Sequence, residues 1–200
     1  MKSVLIVGED TLCCELGVRL LKHVLPHWVL ASPPLPIGGI TKLLARIDAL
    51  VEQSDYVQPV VCIADTDGCC PVKLINMWRP VNAGRNFVLR LAHAEAESWI
   101  LADRVGFSQK FGIPLAKIPH VSDDLVDPKQ LLLSLSIRSR FRWVRTEVVS
   151  ERDTNKRASG YNVHLGEFVR NNWNLMAAKN VSNSLNRACL ALRGLSECEG

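Results

Sequence analysis

Pro59-Val60-Val61-Cys62-Ile63-Ala64-Asp65-Thr66-Asp67-Gly68 is the stretch that decides the fold. Its first half is a short, continuous apolar run with β-branched residues, which is how a strand buried on both faces reads. It ends on two aspartates separated by a single threonine, then on a glycine that permits a sharp turn. A second run of the same kind opens the chain, where Ser3-Val4-Leu5-Ile6-Val7 ends in Gly8-Glu9-Asp10. Leu12, Leu16, Leu20 and Leu21 then share one helical face over residues 11–25, and Pro26 stops that helix.

Outward from these two runs the alternation continues. His27-Trp28-Val29-Leu30-Ala31-Ser32 reads as a second strand, and the proline- and glycine-rich residues 33–39 as an irregular loop. Thr41 is expected to cap a helix running to residues 53–54, with Leu43, Leu44, Ile47 and Leu50 inward. Asn86-Phe87-Val88-Leu89-Arg90-Leu91-Ala92 reads as another strand, feeding a helix over 93–103. Strands alternating with helices predict an α/β fold, a mainly parallel Rossmann-like sheet flanked by helices. The rest is read as helical: Asp127-Pro128 with Gln130 starts a helix through Leu131, Leu132 and Leu135, and further helices cover 165–173 and 182–195. Residues 150–160 are polar, without periodicity, and read as a loop. The expected organisation is an α/β core over 1–125 with a helical C-terminal extension, 126–200, packed on it.

A chain of 200 residues, 48% hydrophobic and 22% charged, is long enough for one sizeable core. No run approaches the roughly 20 apolar residues that cross a bilayer, and the N-terminal run reaches Glu9 too soon for a signal-peptide core. The expectation is a cytoplasmic protein without a membrane partner. Seven cysteines show no C-x-x-C spacing, so they read as reduced, mostly buried or incidental thiols. The net charge of +4 is mild, but residues 136–145 carry four arginines (Arg138, Arg140, Arg142, Arg145) and two aromatics without one acid. That pattern suits phosphate contacts and base stacking, and equally a solvated helix end. Lys156 and Arg157 extend the basic set.

The acids carry the chemistry. Asp65 and Asp67 are two residues apart at a strand end, so the strand pleat is expected to point their carboxylates the same way. Glu9 also ends a buried strand and meets them if the two strands are neighbours. Three converging acids with no obvious basic partner repel one another unless a cation is present, and hard carboxylate oxygens suit Mg²⁺. Glu95, Glu97 and Asp103 follow the next strand. Glu97 is a candidate further ligand, against the plainer reading of acids at a solvated helix start.

Strand-Gly8-Glu9 followed by strand-Asp65-Thr66-Asp67-Gly68 resembles the Toprim metal-binding pattern shared by topoisomerases, bacterial primases and OLD-type nucleases. Glu95-Ala96-Glu97-Ser98-Trp99-Ile100-Leu101-Ala102-Asp103 is similar to the Glu-Ala-Trp-Leu-Leu-Ala-Asp signature of a stand-alone bacterial Toprim-like family often found near defence genes. Asp127-Pro128-Lys129 and Ser182-Asn183-Ser184-Leu185 resemble the same family, so the likeness spans most of the chain. Two differences stand out: Gly8-Glu9-Asp10-Thr11 replaces the family's Glu-Gly-x-Thr-Glu, and Ser98 is inserted between Glu97 and Trp99. The resemblance implies a Toprim-type, Mg²⁺- or Mn²⁺-dependent nuclease acting on DNA or RNA. Glu9 would handle a proton, and Asp65 and Asp67 would hold metal, to which the residues themselves add Glu9 and Glu97 as further candidate ligands. It also implies a role as effector of an antiviral or toxin-like system, with a protein partner such as an ATPase encoded nearby. Only two tyrosines are present, and Tyr56 looks structural, which argues against a topoisomerase. A catalytically silent subunit working through protein partners is the alternative. A receiver-like signalling domain is the third reading, for which Lys117 is the candidate strand-end lysine.

Overall fold

Side chains alternate across each strand, and that alternation sorts the core into two layers with the sheet between them. In the computed structural model, which describes residues 2–120 and 123–196, the strands are β1 (Ser3–Gly8), β2 (Val29–Leu30), β3 (Leu35–Pro36), β4 (Val60–Asp65) and β5 (Phe87–Ala92). They pair in parallel in the order β2-β1-β4-β5, with β3 also on β1. The helices are α1 (Thr11–Val24), α2 (Ile40–Leu44), α3 (Ile47–Tyr56), α4 (Pro71–Trp78), α5 (Ala96–Ala102) and α6 (Arg104–Phe111), followed by α7 (Pro128–Ser136), α8 (Tyr161–Asn171), α9 (Leu175–Lys179) and α10 (Asn183–Gly194). The protein is therefore α/β, with a parallel Rossmann-like sheet flanked by helices.

Val4, Ile6, Val61, Ile63, Val88 and Ala92 face the layer built by α1 and α5 to α10. Their strand neighbours Leu5, Val7, Val60, Cys62, Phe87 and Leu89 face α2, α3 and α4. The first layer is the thicker and holds the large aromatics: Trp99, Trp173, Phe107, Phe111 and Phe168 are wholly buried, each contributing roughly 1.5–3 kcal/mol of burial. Helix α1 lies close on the sheet because Gly17 has no side chain; a Cβ there would stand 2.6 Å from Ile6 Cγ2. Leu12, Leu16, Leu20 and Leu21 form its buried face, and Asp10 caps it by accepting the Cys13 N–H at 2.9 Å.

Several expectations need correction. The second strand shrinks to Val29–Leu30, and the loop at 33–39 contributes a short edge strand, β3, where Pro36 is tolerated because no strand among the described residues pairs beyond it. Thr41 is not the helix cap: α2 starts at Ile40 after Gly39, and the expected single helix breaks at 45–46 into α2 and α3. The helix after β5 starts at Ala96 rather than residue 93, because Ala94 holds a left-handed backbone (φ 57°), and it ends where Asp103 caps α6. Helices α4 and α6 were not expected. The first is a short, mostly exposed helix, and the second buries only Phe107 and Phe111. Tyr56 ends α3 and is exposed, so it holds no structural place. Among the described residues no helix is long and apolar enough to cross a membrane.

Candidate active site at the strand ends

From β1 the chain builds to β2 and β3 on one side and to β4 and β5 on the other, so the sheet switches direction between β1 and β4. In open α/β sheets the crevice beyond the carboxyl ends at such a point is where ligands bind. Glu9 leaves β1 and Asp65 ends β4 on its two sides, and the Asp65 N–H donates to Glu9 Oε2 at 3.2 Å. The pleat that turns Val61 and Ile63 toward α1 carries Asp65 the same way. There Cys13 Sγ lies 3.8 Å from Asp65 Oδ1 and the Ala96 N–H bonds the carboxylate.

On that side α5 presents Glu97, which is only 3% exposed. Its Oε1 accepts from the Tyr161 hydroxyl at 2.7 Å, across from the first turn of α8. Lys129, in the first turn of α7, donates through its backbone N–H to Glu95 Oε2 at 2.8 Å and through Nζ to Glu95 Oε1 at 3.2 Å. The expectation of acids without a basic partner therefore fails: α7 delivers an ammonium to them. Solvated helix-start acids are not what is found either, since Glu97 is buried and Glu95 is half-buried.

Burial dominates the electrostatics. It pushes the Asp65 carboxyl up to about 9, and the Glu97, Glu9 and Asp10 carboxylates add to the rise. Glu9 is raised by burial too; the Asp65 N–H opposes this while Asp67 and Asp10 reinforce it. Glu97 is raised by burial against the pull of Lys129 and Tyr161. Lys129, although burial works against its charge, is held above its ordinary range by Glu97, Glu95 and Asp65 together.

Two loops hold this arrangement. Thr66 Oγ1 accepts the Ala94 N–H at 2.8 Å, and the Asp67 N–H donates to the Ala94 carbonyl at 2.9 Å. Asp67 (φ 47°) and Ala94 (φ 57°) are the non-glycine residues with left-handed backbones among those described. Such strain costs on the order of 1–3 kcal/mol and concentrates at functional sites. The turn continues through Gly68 at φ 75°, as its position after the aspartates suggested. The pleat argument for Asp67 does not carry, because β4 stops at Asp65; Asp67 is exposed, and it acts electrostatically on Glu9.

No family model, curated protein or solved structure matches the chain. The residues themselves must carry the functional reading.

Among the described residues no group of three or more His, Cys, Asp or Glu side chains is placed to enclose a metal ion. The donor chemistry nonetheless fits a hard divalent cation. Asp65, Glu97 and Glu9 are oxygen donors, with Glu97 and Glu9 each acting on Asp65, and Mg²⁺ is commonly held by one or two carboxylates while it keeps several waters. Asp65 with Glu97 would form the inner pair, and Glu9 with Asp67 the solvent-facing one.

The basic residues divide. Arg157 acts electrostatically on Tyr161, and Gln130 Nε2 donates to the Asn155 carbonyl at 2.9 Å, so the loop bearing Lys156 and Arg157 leans over the first turn of α7. Lys156 pairs with Asp153 at 3.2 Å. Arg138, Arg140, Arg142 and Arg145 follow the other end of α7, roughly 13 Å along the helix at 1.5 Å per residue. The aromatics among them are engaged internally. Phe141 stacks on Trp143 with ring centroids 6.3 Å apart, Trp143 packs on Phe111 and His164, and Arg140 covers Phe141 at 4.9 Å. Asp103 is a structural cap, accepting the Gly106 N–H at 3.0 Å and the Asn174 N–H at 2.7 Å. Lys117 lies in an exposed 3-10 turn and ends no strand, which removes the feature the receiver-like reading required. Of the six described cysteines, Cys13, Cys14, Cys62 and Cys189 are buried and all are free thiols.

Sequence reading missed Lys129 and Tyr161 as members of the site. The signal for Lys129 was its place one residue into a capped helix, where a side chain points back past the helix start. Tyr161 gave no signal, because only the packing of α8 on α1 brings it to Glu97.

Proposed function

We propose that the protein is a metal-dependent nuclease of Toprim type, hydrolysing phosphodiester bonds in DNA or RNA with Mg²⁺ or Mn²⁺. The observation that supports this most is the half-buried Asp65 at the switch point of the sheet, raised by burial and by the carboxylates of the buried Glu97 and the half-buried Glu9, between loops with left-handed backbones at Asp67 and Ala94. A divalent cation, when bound, supplies electrostatic stabilisation of the attacking and leaving oxygens. Asp65 and Glu97 orient the donor oxygens for it, Tyr161 fixes the Glu97 carboxylate, and Asp67 holds negative charge at the mouth. Glu9, raised by burial, is poised to take a proton from the attacking water or return one to the leaving oxygen. Lys129 limits repulsion among the acids, and Arg157 with Lys156 offers positive charge to a phosphate backbone approaching the crevice. By the family resemblance, the proposal extends to a cytoplasmic effector of antiviral defence that works with an ATPase encoded nearby.

One observation favours a second reading, a catalytically silent subunit acting through protein partners. Lys129 already supplies a cation to the acids, and the Asp65 carboxyl keeps its proton at neutral pH. Incubation with single- and double-stranded DNA and RNA in Mg²⁺, Mn²⁺ or chelator separates the two. Cleavage that needs metal and falls by about 10²–10⁴-fold in Asp65→Ala, Asp67→Ala and Glu9→Ala supports the nuclease. Undiminished cleavage in those variants removes the assignment, and absence of cleavage on every substrate leaves the silent subunit.

A further inference from the structure

Strand β5 ends the sheet, and among the described residues no strand pairs with its far side. The Val60 N–H donates to the Asn86 carbonyl at 2.9 Å, and the register runs from Val60↔Phe87 to Asp65↔Ala92. In a parallel ladder alternate residues serve one neighbour, so Val88 and Arg90 turn their amides to β4. Leu89 and Leu91 turn their N–H and C=O groups to the open edge. An open strand edge is a ready template for another extended chain.

This edge lies at the bottom of a groove. A cavity of about 500 Å³ follows Phe87 to Arg90, with Ile75 of α4 and Arg79 just after it on one wall and Ala191 of α10 on the other. A smaller one continues it past Leu91 toward Ser184 and Arg187. The groove is basic. Arg79 and Arg85 stand on it together with Arg90 and Arg187, and among the described residues no carboxylate forms an ion pair with any of the four. Arg79 donates to the Ala83 and Gly84 carbonyls at 2.6 and 2.9 Å, which holds it at the groove. Arg90 projects on the α10 side; its Nε is buried without a hydrogen-bond partner, and burial together with Arg79 and Arg187 disfavours its charge.

We propose that this groove docks an extended, acidic segment of a partner protein, which adds to β5 as a further strand. The backbone of such a segment supplies both the acceptors and the donors that Leu89 and Leu91 lack, in the mode of β-strand addition. Its carboxylates, alternating to the two sides, meet Arg79 and Arg85 on the α4 side and Arg90 and Arg187 on the α10 side. A second copy of this chain is the poorer occupant, since pairing two β5 edges sets four arginines against four. A nucleic-acid strand has acceptors for the arginines but no phosphate donor for the outward carbonyls.

The test uses the full chain and a capped, fluorescein-labelled peptide of repeating Glu-Glu-Thr-Thr, which puts glutamates on both sides of an extended strand, with the Lys-Lys-Thr-Thr peptide and a 15-residue oligothymidylate as comparators. Anisotropy titration is expected to show binding of the acidic peptide alone, weakened at least about tenfold in Arg187→Gln and further in Arg90→Gln with Arg187→Gln. Hydrogen exchange is expected to slow at the Leu89 and Leu91 amides when that peptide is present. Arg187 is exposed on α10, so its single variant reads binding without risk to the fold. Peptide binding indifferent to these arginines, or unchanged exchange at both amides, overturns the proposal. So does oligothymidylate that displaces the peptide through the same arginines, or amide protection that grows with protein concentration in the absence of peptide.

Discussion

Replacing Asp65 by asparagine is expected to stabilise the metal-free protein, contrary to the usual effect of altering a buried polar residue. The carboxyl sits at about 9 in the folded protein against an ordinary 3.8, chiefly through burial and the nearby Glu97 and Glu9. Between those two values the folded state keeps a proton that the unfolded state has released, so stability falls as the pH rises through that window and levels off above it. At pH 7 the gap from the ordinary value is about three units, or roughly 4 kcal/mol at 1.36 kcal/mol per unit, as an upper bound. Partial exposure of Asp65 and the nearness of Lys129 reduce this, and about 2 kcal/mol is the working expectation. Asparagine retains an oxygen to accept the Ala96 N–H, so little is lost in exchange. Urea unfolding in chelator, followed by tryptophan fluorescence from pH 5 to 9, reads the effect. The variant should gain most at pH 8, less at pH 5, and melt about 4–8 °C higher near neutrality. Millimolar Mg²⁺ should then raise the wild type and leave the variant unmoved. A variant no more stable than wild type at pH 8, or two pH profiles that run parallel, would refute the reasoning that Asp65 is held protonated by its surroundings.

Three further outcomes follow from the same geometry. Tyr161→Phe removes the hydroxyl that donates to Glu97 Oε1 at 2.7 Å; a loss of about 1–3 kcal/mol is expected in chemical denaturation, because a buried acceptor is left unpaired. Lys129→Met leaves the buried Glu97 and the half-buried Glu95 without their ammonium, and because the lysine is partly exposed it should cost about 1–3 kcal/mol at pH 8. The cost should shrink as the pH falls and Glu97, raised by burial, takes up a proton, as a paired urea series at pH 8 and at an acidic pH would reveal. Gly17→Ala places a Cβ 2.6 Å from the wholly buried Ile6 Cγ2, so a thermal melt should register a loss of about 1–3 kcal/mol from the displaced α1.

The sheet was legible because strands buried on both faces leave a simple trace, and Val4 to Val7, Val60 to Ala64 and Phe87 to Ala92 have it. Asp65 and Glu9 were legible for the same reason, being the first polar residues after such runs. Elements whose stability comes from contacts rather than pattern were not. Helix α6 shows no apolar stripe, and β3 exists only because the residues after it bond to β1: the Ile37 N–H reaches the Gly8 carbonyl at 2.9 Å and the Gly38 N–H reaches the Glu9 carbonyl at 2.8 Å. The arginine-rich segment illustrates the opposite error. Its composition suggested stacking surfaces for bases, but Phe141 and Trp143 are committed to each other and to the core beneath.

Lys129 and Tyr161 change what the acids mean. Read from sequence, the acids formed a concentration of negative charge that only an external cation could relieve. In the folded chain α7 contributes one cation and α8 one hydroxyl donor, both from the part of the sequence after residue 126. Relief is incomplete, since Asp65 is still pushed up to about 9, chiefly by burial, and Glu9 and Glu97 are raised by burial as well. A lysine that fully satisfied the carboxylates would depress their proton affinity, as paired acids in structural salt bridges show. These acids move the other way. Burial is the first cause of each rise, so the helices make the cluster tolerable while leaving desolvated oxygen donors, whose charged form the cation of the proposed function would stabilise.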